Sequence, residues 1–111
     1  MYTASLKYIH ILKSDNPHNN PDLNNIYYLR ASYFARQEGK LWPRLRKNSL
    51  LLGPFEGKKN CAIGLINRLE KENIKLIKTS LDRLLNVCGL NLFEDYSEDL
   101  KQYYGGLSHD K

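Results

Sequence analysis

The sequence predicts a single small α+β domain, and three observations lead to this prediction. The chain has 111 residues, which is enough for one hydrophobic core but not for two. Hydrophobic residues make up 41% and charged residues 26% of the chain, a composition typical of a soluble globular domain. Segments with alternating apolar residues also occur beside segments with helical spacing. We expect the domain to span residues 1–93 and residues 94–111 to form an acidic, tyrosine-rich tail.

The first half of the chain predicts a strand, a loop and a helix. Residues 5–13 are rich in β-forming side chains and favour a strand, whereas residues 14–22 contain two prolines and three asparagines and favour a polar loop. Residues 23–38 place apolar side chains at helical spacing between Asp22, a candidate N-cap, and Gly39, a candidate stop. We therefore expect a helix there. Pro43 restricts residues 40–47 to a short edge strand or a basic loop.

The second half contains the main ambiguity. The apolar run at 49–53 predicts a buried strand, and the spacing over 57–72 predicts a helix. Residues 73–90 allow two alternatives: one long helix over 57–88, which would make the protein mostly α, or a strand at 74–78 followed by a helix over 80–88. Thr79 and Asp82 have the spacing of a capping box, which favours the second alternative. The resulting order is that of a ferredoxin-like βαββαβ sandwich with an extra C-terminal helix.

The positive charge of the chain is concentrated in its middle. The net charge is +5, and residues 30–59 alone contain eight basic and two acidic residues, a net charge of +6. Aromatic residues are interleaved with these bases, a composition typical of RNA-binding surfaces because guanidinium groups bind phosphates and aromatic rings stack on bases. The predicted contacts with nucleic acid or with a partner are Arg36, Lys40, Trp42, Arg44, Arg46, Lys47, Lys58 and Lys59.

These features predict a small non-catalytic module that binds nucleic acid, most simply RNA, through residues 30–59. The alternative is a protein-interaction module, such as an assembly factor, an inhibitor or a subunit of a larger complex, since exposed Trp and Arg are favoured interface anchors. We expect no cofactor, metal ion or membrane partner, and the oligomeric state stays open. Cys61 and Cys88 lie in apolar surroundings, which predicts reduced core cysteines, and the first residues do not resemble a signal peptide. Both points favour the cytoplasm.

Two motifs resemble catalytic sites but lack what the chemistry requires, so we expect no enzyme. Residues 50–60 (LLLGPFEGKKN) resemble the phosphate loop of P-loop NTPases, yet Asn60 stands near the place of the Ser or Thr that holds Mg²⁺. Pro21-Asp22 with Glu38-Gly39-Lys40 has the spelling of a PD…ExK nuclease site. The predicted helix over 23–38 would separate Asp22 and Glu38 by roughly 24 Å, too far to share one ion.

A third motif resembles part of the SPOR domains, which bind septal peptidoglycan glycan. In that family a VGPF sequence is followed by an alanine-containing helix and another strand, as in LLLGPFEGKKNCAIGLINRLEKENIKLIK here. The first-half signature of the family, an aromatic-X-Val-Gln strand ending in Gly-Ser-Phe, is absent, and YIHILKS stands in its place. The resemblance implies glycan binding as a further hypothesis, and it assigns no binding residue to this chain.

Overall fold

A computed structural model describes residues 1–42 and 44–90 of the chain. The predicted tail at 94–111 lies outside the described residues. Within them, the structure contains four strands, two α-helices and one short 3-10 helix. In chain order these are β1 (Tyr2–Lys13), the 3-10 helix (Pro21–Leu23), β2 (Ile26–Gln37), β3 (Leu45–Glu56), α1 (Gly57–Lys71), β4 (Ile74–Leu76) and α2 (Lys78–Val87).

The four strands form one mixed sheet in the order β3-β2-β1-β4. Strand β2 is antiparallel to both β1 and β3, whereas β4 is parallel to β1. The chain must therefore cross from one edge of the sheet to the other between β3 and β4, and α1 makes the long crossover that a parallel strand requires. The α+β class is confirmed. The observed order βββαβα differs from the predicted ferredoxin-like βαββαβ, because one predicted helix is a strand.

The predicted helix over 23–38 is wrong, since most of this segment is β2. Leu29, Ala31, Tyr33 and Ala35 are buried at every second position, which is the period of a strand. Tyr and Phe side chains also stand on the opposite face, and these extra apolar residues produce a helical spacing in the sequence. Pairing along most of the length of β2 with both β1 and β3 determines the outcome.

Strand β3 contains the whole segment predicted at 49–53 but only residues 45–47 of the segment predicted at 40–47, and the described residues 40–42 and 44 lie in the preceding loop. The strand lies at an edge of the sheet, so the predicted buried strand at 49–53 is an edge strand instead. Leu50 is buried against the helices, whereas Leu51 is 60% exposed on the other face. The alternation was hidden in the sequence because three leucines follow one another.

The hydrophobic core lies between the helices and one face of the sheet. Both helices bury their apolar side chains there, and Cys61 and Cys88 are among them as free, buried thiols, which confirms their prediction as core residues. The other main contributors from the helices are Ala62, Leu65, Ile66, Leu69, Leu81, Leu84 and Leu85. The helices cover one face of the sheet and leave the other face open. Neither helix of the described part of the chain is long and apolar enough to span a membrane.

The predicted break after α1 is confirmed, and the single helix over 57–88 is wrong. Asn73 adopts a left-handed backbone with φ of 61°, which ends the helix before β4. The predicted capping box does not form: Ile77 is the N-cap residue of α2 and makes no side-chain cap hydrogen bond. Thr79 lies within the first turn of α2, and Asp82 forms an ion pair with Lys78 at 3.5 Å.

Helix α2 is bonded to β1 at a bulge. The register of β1 shifts just after Leu6, beyond the short stretch that pairs with β4, so the outer backbone groups of β1 need other partners. The Leu6 N–H donates to the Ser80 hydroxyl at 2.9 Å, and the Arg83 guanidinium donates to the carbonyl oxygens of Leu6 at 2.8 Å and Lys7 at 3.2 Å. The bulge places Tyr8 on the open face of the sheet.

Candidate functional site

The open face is the side of the sheet that the helices do not cover. Side chains alternate between the two faces of a strand, and cross-strand partners share a face. The register therefore assigns the following side chains to the open face: Thr3, Ser5, Tyr8, His10 and Leu12 of β1, Tyr28, Arg30, Ser32, Phe34 and Arg36 of β2, Leu45, Lys47, Ser49 and Leu51 of β3, and Lys75 of β4.

The open face is positively charged. Its strand residues include Arg30, Arg36, Lys47 and Lys75, and Lys7 lines a depression on the same face. None of the residues assigned to it is acidic. The Glu38 carboxylate lies just beyond the end of β2 and accepts a hydrogen bond from the Thr3 hydroxyl. A surface with several cations and no carboxylate among its own residues attracts polyanions.

Aromatic side chains stand among these cations. Tyr8, Tyr28 and Phe34 belong to the open face, and Tyr8 is 41% exposed. The Tyr8 hydroxyl and the Nδ1 atom of His10 are hydrogen-bonded at 3.1 Å, and the two rings meet edge to face with their centroids 6.1 Å apart. This contact ties the Tyr8 side chain to His10, and part of the Tyr8 ring stays exposed.

Two shallow depressions meet at the centre of the open face. One has a volume of about 320 Å³ and is bordered by Tyr8, Arg30 and Leu51; the other has a volume of about 380 Å³ and is bordered by Lys7 and Lys47. Their shared lining is a cross-strand pair of small residues, Ser32 and Ser49. Along β2 and β3 the two serines stand between longer side chains of the same face, and Ser49 lies on the edge strand.

The structure separates the predicted contact residues instead of bringing them together. Arg36 and Lys47 lie on the open face. Arg46 lies on the opposite face, where its guanidinium group is 3.1 Å from the Glu72 carboxylate and 5.1 Å from the centre of the Tyr2 ring. These two contacts occupy Arg46, so it is not available to a ligand on the open face.

The remaining predicted residues lie at opposite ends of β3. Lys40, Trp42 and Arg44 are in the β2–β3 hairpin loop, whereas Lys58 and Lys59 are in the first turn of α1. The 12 residues of β3 separate these groups by roughly 40 Å at 3.3 Å per residue. The Lys58 ammonium group is also 5.8 Å from the centre of the Tyr27 ring. The eight predicted residues therefore do not form one site.

The hairpin loop presents a separate apolar tip. Leu41 is 88% exposed and Trp42 is 87% exposed. Lys40 precedes them and Arg44 follows in the sequence. Large exposed apolar side chains next to arginine are typical of the anchors of protein interfaces.

The motifs that resemble catalytic sites do not form such sites in the fold. Strand β3 continues through the expected phosphate loop to Glu56, and α1 begins directly at Gly57. Asp22 and Glu38 lie beyond opposite ends of the 12-residue strand β2. Within 1–42 and 44–90 there is no group of three or more His, Cys, Asp or Glu side chains that could hold a metal ion.

Comparison with known proteins gives no relative. No family model, no curated protein and no solved structure matches the chain. The segment that resembles SPOR domains forms β3, α1 and β4, with β2 and β1 between its two strands in the sheet.

The predicted contact residues do not include Tyr8, Arg30, Ser32 or Ser49, of which only Tyr8 lies outside the predicted segment 30–59. A signal was present: residues 30, 32, 34 and 36 place a base, a small residue, an aromatic residue and a base at every second position. This period of two is visible only once β2 is known to be a strand.

Proposed function

We propose that the protein is a small non-catalytic module that binds nucleic acid, most simply RNA, through the open face of its sheet. The observation that supports this proposal is the composition of that face, in which cations and aromatic rings stand together without an acidic residue. Phosphates supply the charge that complements Lys and Arg, and bases supply the flat surfaces that aromatic rings stack on. The proposed binding site is therefore one face of β1, β2, β3 and β4, whereas the sequence predicts the continuous segment 30–59.

The free, buried thiols support a place in a reducing compartment such as the cytoplasm. Cys61 and Cys88 are both buried and form no disulfide, and burial raises their pKa values to about 11 and about 12, with the Cys61 thiol contributing to the Cys88 shift. Both therefore stay protonated near neutral pH, as inert core residues do. Neither thiol belongs to the open face.

The test compares two variants that remove the same charge from different faces. Arg30→Gln/Lys47→Gln removes two cations from the open face, and Lys59→Gln/Lys71→Gln removes two exposed cations of α1. Fluorescence anisotropy with a labelled single-stranded RNA of mixed sequence measures the affinity of each. We expect the open-face variant to bind about 10-fold or more weakly, because each phosphate contact contributes through counterion release. The α1 variant should keep the affinity of the wild type.

Equal losses in the two variants would show that only the net charge matters, which would contradict the proposal. Thermal unfolding of both variants checks that the fold is intact, and all four replaced side chains are exposed.

A protein-interaction module is the second candidate, and the exposed hairpin tip favours it. Leu41 and Trp42 are almost fully exposed, which the fold itself does not require. If the tip anchors a protein, affinity purification with the wild type should retain a partner at moderate salt, and Trp42→Ala should lose it. Binding of RNA to the open face should not change in that variant, because the tip lies beyond the strands. A partner retained equally by Trp42→Ala would exclude the tip as its anchor.

A further inference from the structure

The centre of the open face is a notch, defined by the Ser32–Ser49 pair as its floor and by Tyr8, Arg30 and Lys47 as parts of its border. Ser32 is paired across the sheet with Tyr8 on one side and with Ser49 on the other. Neighbours two residues away on the same strand lie roughly 7 Å along it, so Arg30 and Lys47 flank the two serines from opposite ends. The floor has two hydroxyl groups, which both donate and accept hydrogen bonds.

The notch has the chemistry that suits one flat polar ring. Its two parts are open depressions with volumes of about 320 and 380 Å³. The partly exposed Tyr8 ring borders the notch, and its hydroxyl is hydrogen-bonded to the Nδ1 atom of His10. The serine hydroxyl groups face the edge of a ring that stacks there, and Arg30 and Lys47 are placed for the phosphates on either side of it.

A base reaches such a notch only when it is unpaired. In an A-form duplex the bases are stacked inside, the major groove is too narrow for side chains, and a protein reaches mainly phosphates and 2′-hydroxyl groups. The side chains of the open face cannot enter that interior, whereas a single strand can turn its bases toward them. A duplex on the open face would contact the cations and leave the notch unused.

We infer that the notch holds one unpaired base of a single-stranded nucleic acid, with the base stacked on Tyr8 and its edge over Ser32 and Ser49. This inference rests on the proposed function and specifies its substrate class. The open face distinguishes single strands from duplexes through the notch, whereas its cations bind both.

The experiment fills the notch without changing the charge. Ser49→Leu places a large side chain on the floor, and Ser5→Leu is the matched control, because Ser5 is an exposed serine of the same face that does not line either depression. Each variant and the wild type are titrated by fluorescence anisotropy with one labelled single-stranded RNA and with the same RNA annealed to its complement. Tyr8→Ala and Tyr8→Phe complete the series.

The wild type should bind the single strand about 10-fold more tightly than the duplex. Ser49→Leu and Tyr8→Ala should each lower the affinity for the single strand by about 10-fold, since stacking of one base contributes about 1–3 kcal/mol. Both should leave the affinity for the duplex unchanged. Ser5→Leu should have no effect, and Tyr8→Phe should keep most of the affinity because it keeps the ring.

The outcomes separate this inference from the proposed function. Equal affinity of the wild type for both nucleic acids, or full single-strand affinity in Ser49→Leu, would overturn the inference and leave the proposed function standing. Binding of neither nucleic acid at low salt would overturn both. Should Ser49→Leu fail to fold, Tyr8→Ala tests the same notch from its side, at a residue that is 41% exposed.

Discussion

Arg30 and Arg46 provide a paired test of the open face, because they lie on adjacent strands but on opposite faces. Arg30 projects among the other cations of the open face. Arg46 contacts Glu72 at 3.1 Å and the Tyr2 ring on the side of the helices. The sequence predicts Arg46 as a phosphate contact, whereas the structure favours Arg30. Each residue is therefore replaced singly by glutamine.

The expected magnitude follows from the number of cations on the open face. Arginine and lysine side chains at positions 7, 30, 36, 47 and 75 belong to or border it. Each phosphate contact with a single strand contributes about 0.7 to the slope of log affinity against log salt, so five contacts give a slope of about −3.5. A rise from about 50 to 200 mM salt should then weaken wild-type binding about 130-fold. Arg30→Gln should reduce this slope to about −2.8 and the loss to about 50-fold.

Anisotropy titrations of a labelled single-stranded RNA at four or more salt concentrations measure these slopes. Arg46→Gln should keep the wild-type slope, and the loss of its partly exposed ion pair should cost less than about 1 kcal/mol of stability, which urea unfolding checks. Phosphate binding by the open face is contradicted if Arg46→Gln lowers the slope as much as Arg30→Gln does, or if Arg30→Gln leaves it unchanged.

Three further predictions concern the core. A Cβ atom on Gly64 would overlap the Phe55 ring, so Gly64→Ala should destabilise the protein by about 1 kcal/mol, although alanine favours a helix more than glycine does. In a Phe55→Ala background the overlap is gone, and Gly64→Ala should then stabilise the protein. Urea unfolding of the wild type, the two single variants and the double variant tests this change of sign. Tyr33→Phe should raise the free energy of unfolding by about 1 kcal/mol, because the buried Tyr33 hydroxyl has no hydrogen-bond partner among the described residues; a loss of stability would contradict this. Burial raises the pKa of Cys61 from 9.0 to about 11 and that of Cys88 from 9.0 to about 12. Because the two thiols ionise at lower pH in the unfolded chain than in the folded protein, the free energy of unfolding should fall as the pH rises from about 9 to 12. Replacing both cysteines by alanine should reduce that fall, and an identical pH profile would refute the assignment.

The second half of the fold was largely predictable, because its signals agree with one another. The region from α1 to α2 has helical spacing, then a short apolar strand, then helical spacing again, and the left-handed Asn73 marks the break. Both helices have one buried and one exposed face, and such faces give a clear period of 3.6 residues. Only the capping box failed, because α2 begins at Lys78, before Thr79.

The first half was predicted less well, and the reason is physical. A strand shows a period of two only when one face is polar, but β2 carries Tyr28 and Phe34 on the open face in addition to its buried residues. Both rings are half-buried and lie outside the core cluster, so the feature that makes the open face a candidate site also hides the strand. Local patterns often fail at functional sites for this reason.

The sequence shows the basic and aromatic residues of the candidate site, but not which of them share a surface. The basic and aromatic content of residues 30–59 is visible in the sequence, and it pointed to a surface that binds polyanions. Which cations share a face depends on the register between β1, β2 and β3, and this register arises from long-range pairing. Tyr8 joins the site only because the bulge after Leu6 turns it outward.

A backbone amide NMR titration with a short single-stranded RNA tests the central claim most directly, since it reports the binding surface without any substitution. We predict that the shifts concentrate on the amides of β1, β2 and β3 around Tyr8, Ser32 and Ser49, with α1 and α2 nearly unchanged. Shifts confined to the hairpin tip around Trp42, or to the first turn of α1 at Lys58 and Lys59, would contradict the assignment of nucleic-acid binding to the open face.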